Sequence, residues 1–352
     1  MRSIEMTKVY VVRLSHENYS LAYSELQSIL ISEDVPYTIG LKLDEFVLLE
    51  APEIAVKLIM KRAGLALELG NLIDIIEVEN EDAVNYLVKT VKDIDEGDNI
   101  CIEVDSIKGF GKDTAKVLVE RIGVKKLCTR KKIDVGVKTV KVSFIVNIAL
   151  VYSMFYRRKQ KAYIHREPHK RPCYRPGTMK PLLARVFINL SKVSSLKHEV
   201  VLDPFCGVGG FAVEACLMDL RMICCDIDDL MVRGAKANIN GYSCQPMVDI
   251  VKMDAGFEAL GSSRVDGIAT DPPYGILSSP KGDKSLENLI CRFLENSYAV
   301  LRKGRYLVFA TPVVFSRKID EMLRVTGFDI IEKHLDKVHG SLTRVIYVVK
   351  KI

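Results

Sequence analysis

The residues with the clearest chemical potential form the run 270–275, Thr-Asp-Pro-Pro-Tyr-Gly, which follows the short apolar stretch 265–269. The apolar stretch predicts a strand, and the paired prolines end that strand and stiffen its exit. The Asp271 carboxylate and the Pro272 carbonyl are two acceptors for the hydrogens of an exocyclic amine on a nucleobase, and Tyr274 offers a face for stacking. We therefore interpret these side chains as the candidate catalytic group: Asp271, Pro272, Pro273 and Tyr274.

Such an amine is a weak nucleophile because its lone pair is delocalised into the aromatic ring. Acceptors aimed at the amine hydrogens localise the lone pair as the nitrogen attacks an electrophile. Asp-Pro and Pro-Pro pairs are also common in plain strand-to-loop turns. The run alone therefore leaves a structural turn as the alternative.

A second pattern lies upstream, where residues 199–216 predict a strand, a glycine-rich turn and a helix. Gly207, Gly209 and Gly210 allow a backbone to approach a ligand closely. Asp203, at the end of the strand, could bind a ligand ammonium group. A glycine turn by itself also occurs as a purely structural connection, so this pattern gains weight only from its neighbours.

Carboxylates end the neighbouring strands as well. The strand 221–225 ends at Asp226, 19 positions after Gly207, a spacing that suits hydrogen bonds to ribose hydroxyls. The strand 248–253 ends at Asp254, which is placed to accept from an adenine amino group. Four strands that end in aspartate put four carboxylates along the carboxyl edge of one sheet, where open α/β folds bind ligands. The Gly-x-Gly-x-x-Gly pattern expected of a dehydrogenase is absent from the glycine turn.

This arrangement resembles the class I S-adenosylmethionine-dependent methyltransferases, and the Asp-Pro-Pro-Tyr run resembles the amino-methyltransferases among them. The resemblance implies an α/β, Rossmann-like catalytic domain with S-adenosylmethionine as cofactor and with no metal. It assigns Asp203 and the glycines to the methionine part, Asp226 to the ribose and Asp254 to the adenine. The cofactor-binding residues expected on this basis are Asp203, Pro204, Phe205, Gly207, Gly209, Gly210, Asp226, Ile227, Asp254, Ala255 and Thr178.

Composition limits the class of protein. The chain has 352 residues, of which 48% are hydrophobic, enough for two or three domains with sizeable cores. Its longest uncharged run, 142–156, is too short to cross a membrane as a helix. Nine cysteines without a Cys-x-x-Cys pair, and no amino-terminal signal pattern, predict reduced thiols and a cytoplasmic location.

The net charge of +6 hides a sharp partition along the chain. Residues 1–106 carry a net charge of −12, residues 107–175 carry +15, and residues 176–352 carry +3. A basic segment of this strength indicates a polyanion site, for which RNA or DNA is the natural candidate. The candidate RNA-binding residues are Lys108, Lys112, Lys125, Lys126, Arg130, Lys131, Lys132, Arg157, Arg158, Lys159, Arg171 and Arg175.

The end of the basic segment mixes charge with flat rings. Arginine and lysine suit phosphates, and the rings of Tyr163, His165 and His169 suit bases, so this part predicts an inter-domain linker that also contacts nucleic acid. A zinc site at His165, His169 and Cys173 is the alternative. Pro168 and Pro172 break any shared helical face there, which argues against it.

A closer resemblance covers nearly the whole chain. The strand 99–107, its following helix and the hairpin 137–156 are similar to a THUMP domain, an RNA-binding module of tRNA-modifying enzymes. The stretch 174–184 resembles the Arg-Pro-Gly-Thr-Met lead-in of the archaeal-type tRNA guanosine-10 N2-methyltransferases. The resemblance implies an α+β amino-terminal and THUMP region before the methyltransferase domain. The expected boundaries are 1–58 for a ferredoxin-like domain, 59–158 for THUMP, 159–180 for the linker and 181–352 for the methyltransferase.

The expected function is methylation of N2 of a tRNA guanosine, most simply at position 10, once or twice. Three alternatives stay open: the same chemistry at another tRNA or ribosomal guanosine, a DNA amino-methyltransferase, and a non-catalytic RNA-binding subunit. The expected partners are tRNA and, as in some members of the family, a small zinc-binding activator subunit.

Overall fold

The protein is described by a computed structural model for residues 7–94, 100–123, 127–128, 137–159, 161–256, 261–273, 286–339 and 342–352. The chain forms two compact units. The first comprises residues 1–16, 36–57 and 66–159, and the second comprises residues 17–35, 58–65 and 160–352. Each unit contains one seven-stranded sheet.

The helices and strands are as follows. The helices are α1 (Tyr19–Ser32), α2 (Glu53–Arg62), α3 (Glu81–Asp93), α4 (Lys112–Ile122), α5 (Pro181–Leu190), α6 (Gly210–Leu217), α7 (Asp229–Gly241), α8 (Leu286–Val300) and α9 (Ser316–Thr326). The strands are β1 (Lys8–Leu14), β2 (Thr38–Leu43), β3 (Phe46–Ala51), β4 (Ala66–Glu77), β5 (Ile100–Ser106), β6 (Lys138–Ile145), β7 (Ile148–Arg157), β8 (Val200–Asp203), β9 (Arg221–Asp226), β10 (Val248–Lys252), β11 (Val265–Ala269), β12 (Leu301–Pro312), β13 (Phe328–His339) and β14 (Leu342–Lys351). None of the described helices is long and apolar enough to cross a membrane.

The sheet of the first unit has the strand order β2-β3-β1-β4-β7-β6-β5. Its middle strand, β4, pairs with β1 on one side and β7 on the other. Residues on both sides of position 58 therefore share one sheet, whereas the sequence predicted separate domains 1–58 and 59–158. The strand β5, the helix α4 and the β6–β7 hairpin lie where the THUMP-like stretch was expected.

Helix α3 shows why this unit folds as it does. The Asn80 side chain accepts a hydrogen bond from the Ala83 backbone N–H and caps the helix. Buried side chains recur at Val84, Leu87, Val88 and Val91, a spacing that gives one apolar face. That face packs into a core with the apolar side of β5, β6 and β7.

The sheet of the second unit has the order β10-β9-β8-β11-β12-β14-β13. The first five strands are parallel, and β14 pairs antiparallel with both β12 and β13. The predicted class I α/β fold is confirmed, and β13 and β14 add an antiparallel hairpin to it. The strand order reverses between β8 and β11, and the carboxyl ends of the strands at such a point form a ligand-binding crevice.

The second unit includes an amino-terminal part that the predicted boundary at 181 did not anticipate. On α1, the buried Glu25 carboxylate accepts hydrogen bonds from the backbone N–H groups of Gly64 and Leu65, each at 2.8 Å. The same carboxylate accepts from Asn189 Nδ2 on α5 at 2.8 Å. Arg62 is fully buried and donates to Asn189 Oδ1 and to the Val193 carbonyl. These bonds require residues far apart in sequence, so no local pattern predicts them.

The predicted linker packs on the surface of α7 within the second unit. A Cβ atom at Gly241 would lie 2.6 Å from Pro172 Cγ, and one at Gly234 would lie 2.7 Å from Cys173 Sγ. Asn238 lies between these glycines, accepting from the Cys173 N–H at 2.8 Å and donating to the Cys173 carbonyl at 3.0 Å. The two glycines thus leave room for the linker. Within the described ranges, no three His, Cys, Asp or Glu side chains gather as a metal site.

Four cysteines form disulfides, which corrects the expectation of reduced thiols. Cys101 is bonded to Cys128, and Cys216 is bonded to Cys244. Each bond closes a loop of just under thirty residues, and loop closure of this kind stabilises a fold chiefly by restricting the unfolded chain. The pairs are 27 and 28 positions apart, a spacing that carries no signal of proximity in the sequence.

Candidate active site

The four predicted carboxylates lie at the carboxyl ends of neighbouring parallel strands. Asp203 is the last residue of β8, and Asp226 is the last residue of β9. Asp254 and Asp271 each follow their strands, β10 and β11, by two residues. The structure therefore places the predicted cofactor and amine positions along one edge of the sheet, with Asp203 and Asp271 on the adjacent strands of the crevice.

Asp203 is the most deeply buried of these carboxylates, with 1% of its surface exposed. Its Oδ1 accepts from Thr270 Oγ1 at 2.6 Å and from the Phe205 N–H at 3.2 Å. Among the described residues, its Oδ2 has no hydrogen-bond partner. The pKa of Asp203 is raised to about 7, chiefly by burial and with smaller contributions from the nearby charges of Asp226 and Asp271. A buried carboxylate with a free oxygen is suited to a cationic ligand group.

Asp226 supports the glycine turn. Its Oδ2 accepts from the Gly207 N–H at 2.9 Å, and its Oδ1 accepts from the Asp228 N–H at 2.9 Å. Gly207 and Gly209 both have positive φ, which only glycine adopts readily. A Cβ at Gly207 would meet no heavy atom within 4 Å, whereas one at Gly209 would press on Ala235. The turn therefore leaves space for a ligand beside Gly207, whereas Gly209 packs closely against Ala235. Burial raises the pKa of Asp226.

The adenine end of the predicted cofactor site is built on the turn after β10. Asp254 Oδ1 accepts from the Gly256 N–H at 2.8 Å, which fixes the turn. The carbonyl of the buried Ala255 accepts from Asn296 Nδ2 at 2.8 Å. Ile227, at the neighbouring strand end, is 39% exposed and offers an apolar surface. Pro204 and Phe205 follow β8 at the same edge.

The reacting end of the site includes an arginine that sequence reasoning missed. Asp271 Oδ2 lies 3.4 Å from Arg344 Nη1, and Arg344 Nε donates to Asp336 Oδ2 at 2.7 Å. Asp336 and Arg344 face each other across the β13–β14 hairpin, and Arg344 also pairs with Pro312 of β12. The hairpin thus places a cation next to the candidate catalytic carboxylate. The order of strands in the sheet creates this contact, and the sequence contains no local signal for it.

Two of the other predicted catalytic residues are described. Pro272 is buried and Pro273 is half-buried, directly after Asp271. Tyr274 lies outside the described residues, so its stacking role stays a prediction. The same holds for the basic cluster of five residues in the first unit: Lys125, Lys126, Arg130, Lys131 and Lys132.

Arg171 is buried, which corrects its assignment to an RNA-binding surface. It is 5% exposed, and its Nε donates to the Arg166 carbonyl at 2.9 Å. Its Nη1 lies 2.7 Å from the point where a Cβ at Gly210 would sit, beside the first turn of α6. Neither Nη atom has a hydrogen-bond partner in the described part of the chain, and burial lowers the pKa of Arg171. Thr178 also lies against Gly210, with its Cγ2 3.3 Å from the same point.

The remaining basic candidates differ in how free their charges are. Arg157 is paired with Glu68 and Glu103, at 2.9 and 2.7 Å. Lys108 is exposed and lies 2.7 Å from Asp44. Four further candidates are exposed or half-buried at the surface of their own units: Lys112, Arg158 and Lys159 in the first unit, and Arg175 in the second. The assignment of these side chains as RNA contacts stays a prediction.

Comparison with known proteins identifies relatives along the whole chain. The family model for the RMKL-like methyltransferase domain (UPF0020) matches residues 168–346. The tRNA (guanine(10)-N2)-dimethyltransferase of Methanothermobacter thermautotrophicus is 32% identical, over 97% of this chain and 99% of the relative. The protein of the same name from Methanocaldococcus jannaschii is 30% identical over the same shares.

The fold has solved counterparts. The crystal structure of TrmN from Thermus thermophilus matches with a TM-score of 0.55, covering 98% of this chain and 100% of that one at 17% identity. This likeness supports the α/β methyltransferase architecture. The near full-length sequence matches show that the chain belongs to the tRNA (guanine(10)-N2)-dimethyltransferase family.

Proposed function

We propose that this protein transfers methyl groups from S-adenosylmethionine to N2 of guanosine 10 in tRNA. The observation that carries the proposal is the match over 97% of the chain to two relatives with this activity in their names. The site supports it, because the carboxylates for cofactor and amine lie on adjacent strands of one crevice. Two additions of a methyl group to the same nitrogen would give the dimethylated product.

The residues present fit S-adenosylmethionine. Asp203 has a buried carboxylate oxygen without a partner among the described residues, which suits the cofactor ammonium. The open space above Gly207 lets a ligand approach the backbone of the turn. Asp226 would hold the ribose, and Asp254 with Ala255 would hold the adenine. When bound, the cofactor supplies a methyl group activated by its attachment to a sulfonium centre.

The residues of the chain would then act on the guanine amine. The Asp271 carboxylate and the Pro272 carbonyl accept the two N2 hydrogens and so direct the nitrogen lone pair. Arg344, whose Nη1 lies 3.4 Å from Asp271 Oδ2, would help to fix the orientation of this carboxylate. Once the new bond makes N2 cationic, its proton passes to an Asp271 oxygen. Orientation and preorganised polar groups account for most of the acceleration in such a site.

Transfer RNA would reach this site through exposed basic side chains. Lys108, Lys112 and Lys159 in the first unit and Arg175 in the second are exposed and able to meet phosphates. The target guanosine would have to leave its stack, as base-modifying enzymes require. A small zinc-binding activator subunit, expected from the family resemblance, remains part of the proposal as a partner to be tested.

The proposal is tested with purified protein, labelled S-adenosylmethionine and an unmodified tRNA transcript. Digestion to nucleosides and mapping of the label should yield N2-methylguanosine and N2,N2-dimethylguanosine at position 10. Label on another guanosine would keep the chemistry and reject the position. Absence of label from tRNA, both alone and with the activator subunit of a relative, would reject the proposed substrate. Parallel reactions with ribosomal RNA and DNA test the alternatives.

Arg171 provides a prediction about cofactor binding. We propose that its free Nη groups, beside the first turn of α6, bind the cofactor carboxylate. Arg171→Gln should weaken binding of S-adenosylhomocysteine by about 10-fold or more, since hydrogen bonds to charged groups contribute at this level. Binding of 5′-methylthioadenosine, which lacks the amino-acid part, should be unchanged. Isothermal titration with both ligands gives the comparison.

The exposed Arg175, four residues along the same linker, is the matched control, and Arg175→Gln should bind both ligands as the wild type does. Equal loss of affinity for both ligands in Arg171→Gln would mean that Arg171 only holds the linker in place.

A further inference from the structure

A cavity of about 220 Å³ lies beside the catalytic run, within the second unit. One wall is Pro273, a second is the end of β12 with the residues that follow it, and the others are α8 and α9. Most of the lining side chains are apolar, among them Pro273, Ile290, Pro312, Phe315 and Ile319, and Thr311 lies in the same wall as Pro312. The cavity is therefore largely apolar and bordered by a residue of the amine-binding group.

Three polar side chains line this cavity: Glu287 and Lys318, which form an ion pair with each other, and Thr311. Thr311 is 3% exposed, and its Oγ1 has no hydrogen-bond partner among the described residues. Pro312 follows it and Pro273 lies in the same cavity wall, and neither proline has a backbone N–H to donate. A buried hydroxyl without a partner destabilises a fold by about 1–3 kcal/mol, so its presence calls for an explanation.

The pairing of the strands relates Thr311 to the residues of the candidate catalytic group. On the parallel strands β11 and β12, Ala269 pairs with Val308. The strand β11 ends at Ala269, and Pro272 and Thr311 each lie three residues beyond this last pair. On the other side of β12, Pro312 pairs with Arg344, whose guanidinium contacts Asp271. Thr311 thus precedes the residue that pairs with Arg344, and it shares a cavity wall with Pro273 of the candidate catalytic run.

We propose that this cavity receives the ring of the target guanine and that Thr311 Oγ1 accepts a hydrogen bond from guanine N1–H. This inference rests on the proposed function. In guanine, N2 is flanked by N1–H and by N3, and N3 lies on the side of the ribose. A base that enters with its ribose outside brings N1–H into the cavity when N2 meets Asp271 and Pro272. The hydroxyl can accept this hydrogen, and Phe315 provides an aromatic wall for the ring.

Recognition of this kind is expected to matter for rate more than for folding. A site that uses a buried polar group on its substrate discriminates strongly when the bond is lost. In the protein without RNA, the Thr311 hydroxyl makes no hydrogen bond to the described residues, so its removal breaks no such bond. Thr311 is therefore a specificity-determining residue whose replacement should separate stability from activity.

The test uses full-length Thr311→Val, which replaces the hydroxyl by a methyl of nearly the same size, and Thr311→Ser, which restores the hydroxyl. Thr311→Val should unfold at the same or a higher temperature than the wild type, because the lost hydroxyl has no partner. It should bind S-adenosylhomocysteine normally and lose about 10- to 100-fold in kcat/KM for the tRNA transcript. Thr311→Ser should keep most of the activity.

Thr326→Val is the matched control, because that hydroxyl donates to the Met322 carbonyl at 2.8 Å in α9. It should leave kcat/KM unchanged. A lower unfolding temperature for Thr311→Val would show that the hydroxyl has a structural partner and would overturn the inference. Unchanged kcat/KM in Thr311→Val would overturn it as well. A wild-type protein inactive on tRNA would reject the proposed function instead, and that result is read separately.

Discussion

The Asp271→Asn variant should methylate tRNA about 10³-fold or more slowly than the wild type while still binding S-adenosylhomocysteine and tRNA. The amide replaces one carboxylate oxygen with an N–H donor, which opposes an N2 hydrogen instead of accepting it. It also removes the charge that stabilises the developing cation and the base that takes its proton, effects that together reach this size in other enzymes. Single-turnover transfer from labelled S-adenosylmethionine measures the loss.

Binding of S-adenosylhomocysteine and tRNA to Asp271→Asn should stay within about threefold of the wild type, since Asp271 is assigned to the reacting nitrogen alone. Asp249→Asn, an exposed carboxylate on β10 of the same sheet, is the control and should remain fully active. If Asp271→Asn turned over at a rate near that of the wild type, the assigned role would be wrong. An equally large loss of cofactor affinity would move Asp271 to the cofactor site.

The Asp203→Asn variant should bind the cofactor much more weakly than the wild type, yet it should be more stable than the wild type when no cofactor is present. The carboxylate is buried, and its free oxygen is assigned to the cofactor ammonium. Loss of this buried ion pair should weaken S-adenosylmethionine binding by about 100-fold or more. In the protein without cofactor, however, the ionised Asp203 is an uncompensated buried charge, so the variant should unfold at a higher temperature above pH 7.

The pH dependence follows from the direction of the shift. Burial raises the pKa of Asp203 from 3.8 to about 7, so the folded protein binds more protons than the unfolded chain between these values. The free energy of unfolding of the wild type without cofactor should therefore fall by about 4 kcal/mol as pH rises through this window. The Asn variant lacks this slope.

Cofactor affinity of the wild type should change in the other direction and drop about tenfold per pH unit below 7, as Asp203 protonates. Calorimetric titrations with S-adenosylmethionine between about pH 5.5 and 8.5, which bracket the Asp203 pKa, would measure the affinity, and unfolding by denaturant without cofactor between about pH 4 and 7 would measure the stability. Asp229→Asn, at an exposed ion pair with Lys252, is the control and should leave both slopes unchanged. Wild-type affinity that is flat across this range would contradict the assignment of Asp203.

Much of the second unit could be predicted from local sequence patterns. Four of the five parallel strands are short apolar runs that end in aspartate or have one two residues later, so both these strands and the positions of Asp203, Asp226, Asp254 and Asp271 could be predicted. The glycine turn was recognisable because Gly207 and Gly209 need positive φ.

The parts that were missed depend on contacts between distant segments. Arg344 reaches Asp271 only because β14 inserts beside β12, and the free hydroxyl of Thr311 is visible only once its neighbours are known. Arg171 was assigned to RNA from its charge, but Gly234 and Gly241 let the linker pack against α7, and Arg171 itself is buried beside Gly210. Charge along a chain indicates surface preference, and packing decides which charges stay there.

The interleaving of the two units along the chain limits how this protein can be divided or recombined. The second unit contains residues 17–35 and 58–65 as well as 160–352. A gene fragment that starts at 160 would encode the catalytic residues without α1, and Asn189 would lose its bonded partners Glu25 and Arg62. On the ribosome, the catalytic unit likewise cannot close before nearly the whole chain has emerged. Exchange of the second unit between relatives therefore requires three joined segments, not one crossover point.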